Sequence, residues 1–169
     1  LGNCSIISGE VNHQRLISSF IPNNKIASTD AIDVDVKHRR TLIHYPSRFL
    51  AIIDEIESSD DHEYIQWNHI APELQVREYT PNKFGIHDSE ENVITRILNT
   101  GDVQTELKSI LIRGQTQPHL QGWFSHDGTE LISNPVLGFS TFGEKKAFVT
   151  VFDFKMKNTG KPYIRVGSN

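Results

Sequence analysis

The fold of this chain is decided by the stretch His38–Ile70, HRRTLIHYPSRFLAIIDEIESSDDHEYIQWNHI. Three runs of apolar and β-branched residues are separated by turn signals at Pro46-Ser47 and at Glu57-Ser58-Ser59-Asp60-Asp61. Runs bounded in this way predict an antiparallel meander. With Pro46, Ser47 and Arg48 as the first loop, Tyr45 pairs with Phe49 and Ile43 with Ala51. With a second loop centred on Ser59, Ala51 pairs with Trp67 and Phe49 with His69. Directly opposed residues share a face. One face then holds Thr41, Ile43, Tyr45, Phe49, Ala51, Ile53, Ile65, Trp67 and His69, and is expected to be core. The other holds Arg40, Leu42, His44, Leu50, Ile52, Asp54, Tyr64, Gln66 and Asn68. It is apolar along the middle strand and polar on both flanks, as suits a face covered only at its centre or one that meets another domain.

Outward from the meander the strand signal continues in both directions. Asn3–Phe20 carries short apolar runs, Pro22-Asn23-Asn24 reads as a turn, and Ala31–Val36 alternates apolar and acidic residues like an edge strand. Downstream, Leu74–Tyr79, Phe84–His87, Val93–Leu98, Ser109–Arg113, Leu120–Phe124 and Val136–Phe142 read as strands. In Ala147–Met156 the residues Phe148, Thr150, Phe152, Phe154 and Met156 recur at period two on one face. A turn at Asn158–Lys161 leads to a last strand, Pro162–Val166. Ser89–Leu98 could be drawn as a short helix, but its Val, Ile and Thr content argues for strand. The expectation is an all-β, antiparallel β-sandwich of about ten to twelve strands with little or no helix. No repeat or low-complexity linker divides the chain, so residues 1–169 read as a single domain.

At 169 residues the chain can bury a substantial core without disulfides, and Cys4 has no cysteine to pair with. A net charge of -4 gives no reason to expect nucleic acid as a partner, and the basic run Lys37–Arg40 is too short to change that. No apolar run approaches the ~20 residues needed to cross a bilayer as a helix, so no membrane is expected either. The chain opens on Leu1 and its only methionine is Met156. That leads to the expectation of a processed product or a piece of a longer protein.

Eight histidines invite a search for a metal site. His62 and His69 are seven apart and would face opposite ways on one strand; His38 and His44 could share a face, but surface histidines are commoner than sites. No HExxH, CxxC, GxSxG or phosphate loop occurs. Under the register above, Tyr45, Phe49 and His69 gather at one end of the meander, where a Tyr and a His could remove a proton or simply close a core. Arg40 opposite Asp54 reads as a cross-strand ion pair worth a few tenths of a kcal/mol or so. Trp123, in Gly122-Trp123-Phe124-Ser125, is a candidate for stacking on a sugar face, and equally a core Trp beside a glycine needed for close approach. His126 and His69 join it as candidate glycan or domain contacts.

His38-Arg39-Arg40-Thr41 leading to Phe49–Ile56, then Asp61-His62 and Trp67–Pro72, resembles the C-terminal part of the heparinase II/III family. There a basic pair opens a strand, the next ends in an Asp after an apolar run, and a further strand begins with His. Gly122–Ser125, the Pro135 strand and the terminal Phe-rich strand also fit, so the resemblance covers about Val36 to Met156. It implies a polysaccharide lyase in which an α-helical toroid precedes a β-sandwich. Such enzymes cleave uronate-containing glycans by β-elimination: a group neutralises the carboxylate, a Tyr or His takes the C5 proton, and an acid assists the leaving oxygen. It also implies a zinc in the parent and a periplasmic or secreted location. The present sequence lacks the helical portion, the Gly-His with Asp-Pro-Gly motif and the His-Asn-Thr before the basic pair. No catalytic residue, cofactor or zinc ligand is therefore carried over. The expectation is a C-terminal sandwich, inactive alone, whose partners are the missing N-terminal α-helical domain and, through the parent, an acidic polysaccharide. The alternative is a self-contained carbohydrate-binding or interaction module.

Overall fold

The computed structural model describes residues 4–21, 25–101 and 107–154. Ten strands are present and no helix among the described residues: β1 (Ser5–Ile21), β2 (Lys25–Tyr45), β3 (Phe49–His69), β4 (Gln75–Thr80), β5 (Lys83–His87), β6 (Val93–Asn99), β7 (Lys108–Arg113), β8 (Trp123–Phe124), β9 (Ile132–Ser133) and β10 (Pro135–Asp153). They pair in the order β1-β2-β3-β10-β6-β5-β4, with β7 also on β10 and β8-β9 as a separate ribbon. All pairings are antiparallel.

The expected first hairpin forms as read. Pro46–Arg48 make the turn, with Arg48 N–H donating to the Tyr45 carbonyl at 3.1 Å and Ser47 at φ 60°. Tyr45 opposes Phe49, Ile43 opposes Ala51 and Arg40 opposes Asp54. The second turn does not form. β3 runs unbroken through Glu57–Asp61, and its partner beyond the first hairpin is β10: Ala51 opposes Val151, Trp67 opposes Gly138 and His69 opposes Val136. The Ser/Asp-rich stretch makes a bulge instead. Gly143 pairs with His62 and Lys145 with Glu57, so Ser58–Asp61 of β3 stand against Glu144 alone. Gly143, at φ 139°, supplies the backbone conformation that an L-side chain rarely adopts there.

This bulge makes the two layers. Val136–Phe142 and Ala147–Met156 were expected as separate strands; they are the two arms of β10, with Met156 outside the described residues. The inward residues of β10 switch from odd (Leu137, Phe139) before the bulge to even (Phe148, Thr150) after it: the first three belong to the central cluster and Thr150 bonds to the buried Gln66. β7 pairs with the first arm and β6 with the second. Leu137 and Phe139 from one arm meet Phe148, Phe84, Ile86 and Ile97 from the other layer in one core cluster. The Phe84 and Phe139 rings cross edge to face at 5.9 Å, an arrangement favoured by the ring quadrupole.

The predicted core face of the meander is corrected: none of its residues belongs to the central cluster. Ala51 is fully buried, but Thr41, Ile43, Tyr45, Phe49 and Ile53 are half-buried, Ile65 and Trp67 are 36% and 37% exposed and His69 is exposed. The buried residues there are Gln66 and Asn68, with Tyr64 packed on the core. Hydrophobicity favoured the wrong face because these polar groups satisfy one another inside, as buried polar groups must. Ala31–Val36 pairs with β1 on one side and meets β3 only from Val36 on, so the stretch before Val36 keeps one side without a strand partner among the described residues, while β1 forms the edge of the sheet. The turn at Pro22–Asn24, the turn at Asn158–Lys161 and the strand Pro162–Val166 lie outside the described residues.

Candidate functional site

His38 and Arg40, two residues apart on β2, meet Asp54 of β3 on the inner face of the two strands. Arg40 donates twice to the Asp54 carboxylate, Nε to Oδ1 at 2.6 Å and a terminal nitrogen to Oδ2 at 2.8 Å. His38 Nε2 lies 2.8 Å from Oδ1 and, facing a carboxylate that only accepts, donates to it. Gln66 Nε2 donates to Oδ2 at 2.6 Å. Burial pushes this carboxyl up, but the hydrogen bonds from Arg40, Gln66 and His38, with the charge of Arg40, outweigh it and leave it below the usual range. From Gln66 the network continues: Thr150 donates to its carbonyl oxygen, Asn99 Nδ2 lies 2.7 Å from Thr150 Oγ1, and Asn99 Oδ1 accepts from Gly101 N–H at 3.0 Å. The chain of bonds links β2, β3, β10 and β6. Asp54 is 2% exposed with both oxygens doubly bonded, so it has no lone pair left to act as a base. The Arg40–Asp54 pair predicted from register is present, but it is the anchor of a buried network rather than a surface pair.

The second cluster lies on the outer face of β4, β5 and β6. Tyr79 Oη and His87 Nε2 are 2.8 Å apart, and His87 Nδ1 is 3.3 Å from the Glu91 carbonyl. A carbonyl only accepts, so Nδ1 carries the proton and Nε2 accepts from the Tyr79 hydroxyl. The hydroxyl sits over Gly85, where any Cβ would collide with it and stand 2.7 Å from His87 Nε2. Two bulges frame this pair. One in β4, between Glu78 and Thr80, makes Tyr79 the extra residue; one in β6, between Val93 and Thr95, does the same for Ile94. Both side chains stay in solvent, 47% and 45% exposed, while His87 is 6% exposed. Gly85 is opposed by Arg77 on one side and Arg96 on the other. Arg77 is paired with Glu91. Arg96 is exposed and opposes Asp153 of β10 on its other side; its guanidinium makes no hydrogen bond or ion pair among the described residues. Sequence reasoning missed this group; the available signal was a Tyr and a His flanking the Pro81-Asn82 turn with a glycine between them.

The residues singled out from sequence are dispersed. Tyr45 stacks on Phe49 at 6.1 Å, but His69 stands at the far end of the 21-residue β3, so the Tyr45–His69 pair is not assembled. Trp123 Nε1 donates to the Gln115 carbonyl at 2.9 Å, which latches the ring to its own loop. His126 lies edge-on to Phe124 at 4.6 Å, and Phe124 is 36% exposed. His62 packs against Tyr64 and His44 is exposed. Among the described residues no three His, Cys, Asp or Glu side chains are gathered as metal ligands. A shallow concavity beside the main bulge is lined by Lys37, Arg39, Glu55, Glu57, Lys145 and their neighbours. Two of its cations are already matched, Lys145 to Glu57 at 2.7 Å and Arg39 to Glu10 at 3.1 Å.

No known family model matches this sequence, and no curated protein matches it. Solved structures similar in fold include the heparan sulfate lyase HepC from Pedobacter heparinus and a mutant of the same enzyme. In each case the TM-score is 0.56 at 9% sequence identity. The match covers 90% of this chain and 22% of the HepC chain, so this chain spans about a fifth of that protein's length. At that identity the likeness establishes a shared β architecture.

Proposed function

We propose that this chain is the β-sandwich portion of a polysaccharide-lyase-like protein acting on an acidic, uronate-containing glycan, and that by itself it binds such a glycan without cleaving it. The observation that carries the reading is the extent of the fold likeness, nine-tenths of this chain onto part of a heparan sulfate lyase. The motif residues His38, Arg40 and Asp54 add support, since they act together as one structural network. In the parent, a preceding α-helical domain would supply the catalytic groups and a zinc would belong to that larger protein, located in the periplasm or outside the cell. Trp123, His126 and His69 are candidate contacts to glycan or to that domain.

Inactivity of the isolated chain follows from what β-elimination requires: a neutralised carboxylate, a base reaching the C5 proton and an acid at the leaving oxygen. Tyr45 and His69 are at opposite ends of β3. In the Tyr79–His87 pair the hydroxyl proton is directed at His87 and the oxygen lies over Gly85, so this pair presents no free base to solvent. The test is incubation of the full chain with heparan sulfate, chondroitin sulfate and alginate, reading both retention on the immobilised glycan and ultraviolet absorbance of an unsaturated uronate. Retention without absorbance is expected. Absence of retention on all three would overturn the binding half of the proposal, and metal-independent product formation would overturn the other half. A self-contained binding module would behave identically here; a helix-rich segment encoded immediately upstream separates the two readings in favour of the lyase parent.

A further inference from the structure

We infer that the outer face of β4–β6 is a seat for one acidic sugar unit, its ring laid against Tyr79 and Ile94 and its carboxylate or sulfate held by Arg96. The inference rests on the acidic-glycan reading above and gives it a location. Two independent bulges, one on each side of β5, turn an aromatic and an aliphatic side chain outward at nearly equal exposure. Bulges re-aim side chains at the cost of ladder hydrogen bonds, so a matched pair around one glycine is a feature that packing alone does not require. The Tyr79 ring is held before any ligand arrives. Its hydroxyl bonds to a His87 that is itself fixed by the Glu91 carbonyl, and Gly85 leaves room for the ring to lie down. A ring so fixed presents an apolar face with little further ordering cost.

The charge beside it is of the right kind. Arg96 opposes Gly85 on one side and Asp153 of β10 on the other, and its guanidinium is bonded to no side chain among the described residues, whereas Arg77 is occupied by Glu91. A guanidinium presents a planar fork suited to a carboxylate or a sulfate. Lys83, opposed by Leu98 on the same face, adds a second exposed cation. An apolar platform edged by cations fits a pyranose ring that is apolar on its CH face and anionic at its rim. It fits a neutral sugar less well, because Arg96 would be left without a partner.

The experiment is calorimetric titration of the full chain with a size-defined heparan sulfate oligosaccharide, alongside its desulfated and its carboxyl-reduced forms. Arg96→Gln and Tyr79→Ala are each expected to weaken binding about tenfold, the equivalent of one charge-assisted hydrogen bond or one stacking contact. Lys108→Gln, an exposed change on β7, is expected to leave it within about twofold. Thermal midpoints confirm that each variant is folded. A larger loss on carboxyl reduction than on desulfation assigns Arg96 to the uronate, and the reverse assigns it to a sulfate. If the parent chain binds but neither Arg96→Gln nor Tyr79→Ala weakens it, or if Lys108→Gln weakens it equally, this seat is wrong while the acidic-glycan reading stands. If the unmodified chain does not bind at all, the acidic-glycan reading itself fails.

Discussion

The hydroxyl of Tyr79 occupies the space that a Cβ on Gly85 would need, across the β4–β5 pair. The two positions are therefore coupled. Gly85→Ala must displace the ring and break its bond to His87, and is expected to cost about 1–3 kcal/mol, as over-packing does. In a Tyr79→Ala background the same change should cost less, because the collision with the ring is gone and only the close approach to His87 Nε2 remains. Urea denaturation of the four chains in this cycle measures the coupling. Equal costs in both backgrounds would show that the ring does not rest on Gly85.

Asp54 makes stability depend on pH in a stated direction. Its folded-state carboxyl lies below the ordinary value of about 4. A group depressed in this way contributes stability that is fully present above the unfolded value and is lost as pH falls through the folded one. Unfolding free energy should therefore decline below about pH 4, and that part of the decline should be missing in Asp54→Asn. Near neutral pH, Asp54→Ala should cost about 3 kcal/mol, the lower end for a broken buried pair because Arg40 is itself half exposed. Denaturation midpoints between neutral and acid pH test both statements, and parallel pH profiles for the two proteins would contradict them.

The inner and outer faces of β3 and β10 should answer differently to truncation. Phe139 is fully buried in the central cluster, so Phe139→Ala should cost about 3–5 kcal/mol. Ile65, on the outer face of β3, should tolerate Ala at about 1 kcal/mol or less. Similar losses at both sites, measured by urea denaturation, would mean that the assignment of faces is inverted.

Trp123 is latched by one hydrogen bond, from its indole nitrogen to the Gln115 carbonyl. Trp123→Phe keeps most of the ring but removes the donor, and should destabilise the protein by about 0.5–1.5 kcal/mol. Glycan retention measured on the same variant separates the two roles weighed for this residue. Lost retention with unchanged stability would make it a sugar contact, and lost stability with unchanged retention a latch.

The sequence by itself determined the strands and the first hairpin. Period-two apolar patterning marks β4, β5, β6 and β7 within a residue or two, and Pro46–Arg48 closes its turn through contacts among neighbouring residues alone. That is why Tyr45–Phe49, Ile43–Ala51 and Arg40–Asp54 could be paired in advance. Glu57–Asp61 carries the same local turn chemistry, yet it bends β3 without reversing it. Whether such a stretch becomes a turn or a bulge depends on which strand lies alongside, and β10, some eighty residues later, decides it by pairing with both halves of β3. The buried face followed from the same event. Gln66 and Asn68 look like surface residues until Asp54, Thr150 and Leu137 are brought to them as hydrogen-bond partners. Tyr79 and His87 likewise meet only because a bulge in β4 shifts the register by one residue beside a glycine. Local preference is written in neighbouring residues; register, bulges and the satisfaction of buried polar groups are set by strands that only the folded chain brings together.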